Sequence, residues 1–238
     1  MNIPETYNQL DQWTTVMFLY NSALKAINTK IEILNNEFIH LYNYNPIEHI
    51  KSRLKTPESI VKKLKRGGHE VTIPNMIEHL SDIAGIRIIC SFSPDIYRIA
   101  EMIARQSDVT VLVVKDYIKN PKPNGYKSYH MVVSVPVYLS TGPANVKVEI
   151  QIRTIAMDFW ASLEHKIRYK FEGKAPQHIN EELKACSDIV NMLDAKMLSL
   201  NEEVQALPKV GVEEHHEENV RMQKMWEENK IVDKLQKK

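Results

Sequence analysis

Apolar positions along this chain keep two different rhythms. Between residues 5 and 43, Trp13, Met17, Tyr20, Leu24, Ile27, Ile31, Leu34, Phe38 and Leu41 recur mostly three and four apart, the spacing of one helical face. This predicts one long helix, ended by Asn45-Pro46. Its stripe packs on the rest of the chain or, in the alternative, partly against another copy. Further helices are expected at Pro57–Arg66, stopped by Gly67-Gly68, and at Pro74–Leu80. Ser93 reads as an N-cap with Pro94 at the first helical position of a helix reaching about Arg105. Later helices are expected at Ile155–Phe171, Asn180–Gln205 and 213–234.

The middle of the chain changes period. Ile86–Phe92, Val109–Val114, Tyr129–Val137 and Val146–Thr154 are short apolar or alternating runs and read as strands. Strands in the middle with helices on both flanks predict an α+β fold, a mixed sheet of about five strands flanked by helices. The expected organisation is an N-terminal helix over 1–45, one domain with its C-terminal helix over 46–205, and a charged, helical or partly disordered tail over 206–238.

Composition narrows the class. The chain has 238 residues, 43% hydrophobic and 26% charged, with a net charge of +1. No apolar run is long enough to span a membrane, and MNIPETYNQLDQW has no basic region leading into an apolar one. A soluble cytoplasmic protein is therefore expected. Cys90 and Cys186 are far apart and fit no metal spacing; Cys90 reads as a reduced core residue. The charge is unevenly spread. Lys51, Arg53, Lys55, Lys62, Lys63, Lys65 and Arg66 face only Glu58, and four lysines lie between Lys115 and Lys127. Two local basic patches on a near-neutral chain point to a compact anionic ligand and away from a nucleic-acid substrate.

The chemistry concentrates in four stretches. In Val146–Arg153 the alternation is strict, so Val146, Val148, Ile150 and Ile152 share one face while Lys147, Glu149, Gln151 and Arg153 share the other. A half-buried strand with a solvated face has the same pattern. Here, however, a carboxylate suited to a hard cation and a guanidinium suited to phosphate lie in line on a rigid element. Asp82 is the best partner carboxylate, just before a strand that carries Arg87, with Gly85 permitting close backbone approach; a helix-end or turn residue is the alternative. In Arg53–Lys63, Ser59 and Lys63 share a helical face, and Arg53 and Lys55 project before the first turn, as an anion site at a helix N-terminus requires. A solvated basic face is the alternative. The stretch Lys115–His130 holds Pro121, Pro123 and Asn124-Gly125, so it reads as a loop. Its lysines and tyrosines suit a nucleotide, cation for phosphate and ring for base. Neither a G-x-x-x-x-G-K-[ST] loop nor a G-x-G-x-x-G is present, so phosphate handling rests on side chains.

Taken together and in this order, SRLKTPESIVKKL, HLSDIAGIRIIC, DYIKNPKPNGYKSYH and VEIQIRTIAMDFWASLEHKIRYK resemble the synthetase domain of the RelA/SpoT family, and in particular its small alarmone synthetases. The resemblance implies a nucleotidyltransferase-like synthetase domain and a magnesium-dependent reaction. The β,γ-pyrophosphate of ATP moves to the 3′-hydroxyl of GDP or GTP, releasing AMP. It implies that Arg53, Lys55, Ser59, Lys63 and Arg87 hold ATP. Asp82 and Glu149 ligate Mg²⁺, with Glu149 as base. Tyr126 stacks on guanine, while Lys115, Lys122, Asn124, His130 and Gln151 surround the acceptor. Arg153, His165 and Tyr169 match the motif without an assigned role. A homotetramer is implied, and no alarmone hydrolysis. The competing readings are another phosphotransferase using the same metal pair, or a nucleotide- or RNA-binding module without turnover.

Overall fold

The computed structural model describes residues 7–171 and 175–207. The element order is α1 (Tyr7–Tyr42), β1 (Ile47–Leu54), α2 (Pro57–Arg66), α3 (Ile73–His79), β2 (Ala84–Cys90), α4 (Ser93–Ala104), β3 (Thr110–Asp116), β4 (Tyr129–Leu139), β5 (Gly142–Thr154), α5 (Ile155–Tyr169) and α6 (Gln177–Ala206). The charged tail, with the helix expected at 213–234, lies outside the described residues. Among those described, no helix is long and apolar enough to cross a membrane.

The five strands form one mixed sheet in the order β1-β2-β5-β4-β3. Only β2 and β5 run parallel; the other neighbours are antiparallel. The alternation in β5 fixes which way each strand faces. Val146, Val148, Ile150 and Ile152 are all buried, and they sit beside Ile86 and Ile88 of β2 and Met131, Val133 and Val135 of β4. Helices α1 and α4 cover this apolar face. Asn28 of α1 hydrogen-bonds Ser52 on its rim, and Tyr97 of α4 donates to Asp116 and meets Tyr129 edge-on. The stripe expected on α1 is the buried one, with Tyr20, Leu24, Ile27, Ile31 and Leu34 in the core. α1 ends at Asn43, whose φ of 48° is a conformation asparagine tolerates.

Two expectations change. β1 reads in the sequence as a basic approach to α2, yet Arg53 lies inside a strand, opposite Gly85. β1 is an edge strand with little buried surface, and charged side chains are how such edges avoid further pairing, so its apolar rhythm is weak. Ser93 is the first helical residue of α4, and the N-cap is Phe92 with no side-chain cap. The Ser93 hydroxyl reaches Asp194 of α6 instead, at 3.5 Å.

Candidate active site

The opposite face of the sheet is polar, and register alone assembles it. Directly paired residues on neighbouring strands share a face. One row therefore runs Arg53, Gly85, Glu149, Val132 across β1, β2, β5 and β4. The next runs Lys51, Arg87, Gln151, His130, Lys115 across all five strands. Helix α3 closes one end of this face, where Lys147 donates to the carbonyls of Ile77 and Glu78. That contact gives Lys147 a structural task. Helix α5 covers the other end, over buried Arg153.

The β1–α2 corner sets two lysines against one carboxylate. The backbone pairing of β1 with β2 continues past the strands, Lys55 N–H donating to the Ile83 carbonyl, which puts Lys55 beside Asp82. Thr56 caps α2 by accepting from the Ser59 N–H, and the Thr56 hydroxyl also donates to the Ser59 hydroxyl at 3.0 Å. One turn later Lys63 comes back over the same spot. Asp82 Oδ2 is 2.8 Å from both Lys55 Nζ and Lys63 Nζ. Burial pushes the Asp82 carboxyl up, but the two lysines outweigh it and hold the group below the ordinary carboxylate range. Its other oxygen, Oδ1, is buried with no hydrogen-bond partner. Arg53 and Arg87 complete the corner from the sheet. Burial and then the charge of Arg153 pull the Arg87 guanidinium below its ordinary value, and its Nε also lacks a partner. A glycine at 85 is not required by the protein's own packing, since a Cβ there would meet Arg53 at an ordinary 3.9 Å. The close approach expected at Gly85 has no counterpart within the chain.

The β5–β4 side is built the other way, as a run of hydrogen bonds whose two ends come within 3.7 Å of each other. Gln151 Nε2 donates to Glu149 Oε2 at 2.9 Å, and Gln151 Oε1 accepts from Arg153 Nη2 at 2.9 Å. The same Nη2 donates to the Tyr126 hydroxyl, which meets His130 Nε2 at 2.8 Å. His130 Nδ1 returns to Glu149 Oε1 at 3.7 Å. Burial pushes the Glu149 carboxyl up, yet His130 and Gln151 together keep it below its usual range, and Asp82 is near enough for its charge to be felt. Tyr126 also has Lys122 Nζ 4.8 Å and the Arg153 guanidinium 5.0 Å from its ring centroid, both within cation–π reach. Asn124 is turned toward α5, donating to Glu164 at 3.0 Å while its oxygen accepts from the Tyr126 N–H. Lys115 and Lys122 flank the ring from β3 and the loop. His165 is exposed on α5, and the side chain of Tyr169 lies outside the described residues.

Three participants escape the sequence. Asp158, in the first turn of α5, accepts with Oδ1 from Arg87 Nη1 and Arg153 Nη1, each at 3.1 Å, and so joins the two sides. Ser128 is fully buried under Arg153 Nε. Glu164 takes Asn124 and, at 2.7 Å, Arg168. The one available signal was for Asp158: an acid in the turn after the Thr154 cap, five residues past Arg153.

Residues 52–174 match the family described as a region found in RelA / SpoT proteins. The chain belongs to the RelA/SpoT family. Its likeness is to the small alarmone synthetases of that family. It is 49% identical over 195 residues to the GTP pyrophosphokinase YwaC of Bacillus subtilis, covering 82% of this chain and 93% of YwaC. The crystal structure of small alarmone synthetase 1 from B. subtilis bound to its product pppGpp superposes with a TM-score of 0.76 at 35% identity, over 82% of this chain and all of that one. The same synthetase bound to AMPCPP gives 0.70 at 33% identity, over 83% of this chain and 100% of that one. The mixed sheet flanked by helices is thus the small alarmone synthetase fold.

Proposed function

We propose that this small alarmone synthetase is a GTP pyrophosphokinase that works on the polar face of the sheet. It moves the β,γ-pyrophosphate of ATP to the 3′-hydroxyl of GDP or GTP and releases AMP. The observation that carries the reading is the nearness of Asp82, just ahead of β2, to Glu149 on the neighbouring parallel strand β5, between a corner of cations and a ring that ends in Tyr126. YwaC bears the name of this activity, and one relative of the same fold has structures bound to pppGpp and to AMPCPP.

Pyrophosphoryl transfer needs charge neutralisation and alignment more than covalent chemistry. Arg53, Lys55, Lys63 and Arg87 hold the donor phosphates, with Ser59 at the helix N-terminus. Asp82 and Glu149 fit a magnesium ion: Asp82 Oδ1 is a buried carboxylate oxygen without a partner, and two carboxylates plus substrate phosphates are the usual environment of Mg²⁺. Among the described residues no cluster of three or more acidic, His or Cys side chains could cage a metal alone, which fits an ion shared with substrate. When bound, the ion would offset charge on the transferred phosphates. Glu149, kept ionised at neutral pH, takes the proton of the 3′-hydroxyl. Tyr126 stacks on guanine, and Lys115, Lys122, His130 and Gln151 surround the acceptor. Arg153 braces Tyr126 and Gln151.

The chain acts in the cytoplasm as a homotetramer. Ile189, Met192, Leu193, Met197, Leu200 and Val204 leave one face of α6 exposed and apolar, as a surface covered by other copies would be. The deciding assay is incubation of the full chain with ATP, Mg²⁺ and each of GDP, GTP and GMP, followed by anion-exchange separation. AMP rising in step with a more highly phosphorylated guanosine nucleotide is expected. ADP, or no product at any magnesium concentration, would overturn the reading.

A further inference from the structure

Helix α6 lies beyond the motif-bearing stretch and outside the residues matched by the family, yet the acceptor loop leans on it. Trp160 Nε1 of α5 donates to the Leu183 carbonyl of α6 at 2.9 Å. Trp160, Ala161 and Leu183 form a small apolar cluster of their own, and Tyr126 packs against it. One turn past Leu183, Ser187 is a buried polar residue, 3% exposed, whose hydroxyl donates to the Gly125 carbonyl at 2.7 Å. Asn191 donates back to the same hydroxyl at 3.4 Å.

Gly125 and Ser187 interlock. Gly125 has a φ of 88°, and a Cβ there would stand 2.5 Å from Ser187 Oγ and 2.6 Å from Ser187 Cβ. Only glycine fits, both for conformation and for space. The held carbonyl belongs to the peptide that joins Gly125 to Tyr126. The N–H of that same peptide donates to Asn124 Oδ1 at 3.3 Å. Both polar groups of the one peptide plane that delivers Tyr126 are therefore fixed, one by the loop itself and one by α6. A peptide plane held at both ends resists rotation, which restrains φ at Tyr126 and with it the Cα–Cβ bond that aims the ring toward its partners Arg153 and His130.

We propose that Ser187 is a positioning residue for the acceptor nucleotide, acting through the Gly125–Tyr126 peptide to set the direction of the Tyr126 ring. The proposal rests on Tyr126 being the guanine seat. It makes α6 part of the acceptor site although no side chain of α6 belongs to the ring itself.

The test is a kinetic cycle on the full chain: wild type, Ser187→Ala, Tyr126→Ala and the double variant, each with KM measured separately for the guanine nucleotide and for ATP. Ser187→Ala is expected to raise the guanine-nucleotide KM about two- to tenfold, the range one hydrogen bond supplies, with the ATP KM unchanged. In the Tyr126→Ala background the same change should add nothing. Ser187→Cys, similar in size but a weaker donor, should fall between wild type and Ala, and it serves as the measured variant if the Ala form fails to fold by circular dichroism. Equal loss for both substrates, an effect that persists in full without the Tyr126 ring, or a wild-type KM in the Ala or Cys variant would each overturn the role of Ser187. If Tyr126→Ala itself leaves the guanine KM unchanged, the stacking reading fails, and the role of Ser187 fails with it.

Discussion

The two halves of the site are built on opposite principles. Around Asp82, valences are left open: one buried carboxylate oxygen and the Nε of Arg87 have no partner, and two lysines converge on one oxygen of the acid. Around Tyr126 the polar groups bond to one another, from Glu149 through Gln151, Arg153 and Tyr126 to His130, whose other ring nitrogen lies 3.7 Å from Glu149. Unpartnered buried polar groups are costly, and on the proposed function phosphates and a cation would be what completes the first half. The second half is a surface already formed, against which a base can be laid. Loss of a group from the open half should therefore reduce rate, and loss from the closed half should reduce affinity for one substrate.

Glu149 stands where the halves meet and should show the largest effect. Glu149→Gln preserves the shape and the hydrogen bond partner of Gln151 but removes the charge and the proton acceptor. Turnover is expected to fall by more than about 10³-fold, the upper range for one electrostatic contact in a transition state. ATP should still bind, as followed by calorimetric titration. An active variant would remove Glu149 from the base and metal roles together. Asp82→Asn tests the open half alone, with an expected loss of about 10²-fold and a raised requirement for magnesium in the assay. If the magnesium dependence stays that of wild type, Asp82 is a partner of the lysines and not a ligand.

Tyr126→Ala is the matching test of the closed half. Base stacking is worth about 1–3 kcal/mol, so the guanine-nucleotide KM should rise about five- to 150-fold. The ATP KM should stay within a factor of about two. Equal loss for both substrates would dissolve the distinction between the halves.

That contrast also explains what was legible in the sequence. The open half is made by short-range chemistry. Ser59 and Lys63 share a helix face by spacing alone, and Asp82 stands next to a strand anyone can mark, so their grouping is visible in the sequence even though a solvated face would look the same. The strict alternation of β5 likewise displays Glu149, Gln151 and Arg153 without any tertiary knowledge. The closed half depends on contacts between distant segments. Asp158 has no alternation around it and gains its meaning from Arg87 on another strand. Ser187 lies 62 residues from the carbonyl it holds, and a serine in a helix looks like any solvated one. β1 was obscured for a different reason: an edge strand carries little apolar rhythm because little of it is buried.

Asp158 couples the halves, and its removal should blur them mildly. With Asp158→Asn, Arg87 and Arg153 lose the shared carboxylate that holds two like charges side by side. Both KM values are expected to rise together, about two- to tenfold, as for loss of one charge-assisted hydrogen bond. A change confined to one substrate would place Asp158 in that half only.

The smallest effect expected is on the acid stability of the protein, and it addresses the open half without substrate. Asp82 is held below the ordinary carboxylate range because Lys55 and Lys63 outweigh its burial. A group whose folded value lies below its unfolded one stabilises the fold at neutral pH, and that stability drains away as pH falls through the folded value. Lys63→Met takes away one of the two opposing cations while keeping much of the stem, so the burial of Asp82 is opposed by Lys55 alone. Its carboxyl then titrates at higher pH than in the wild type, closer to the unfolded value, so it contributes less stability at neutral pH and has less to lose on acidification. Thermal melting of the metal-free protein, from about pH 7 down to about pH 3, where carboxylates titrate, should show the variant melting lower at neutral pH and the gap to the wild type narrowing on acidification. Superimposable curves would mean that Lys63 leaves Asp82 for solvent in the free protein, and that the open half is organised by Lys55 alone.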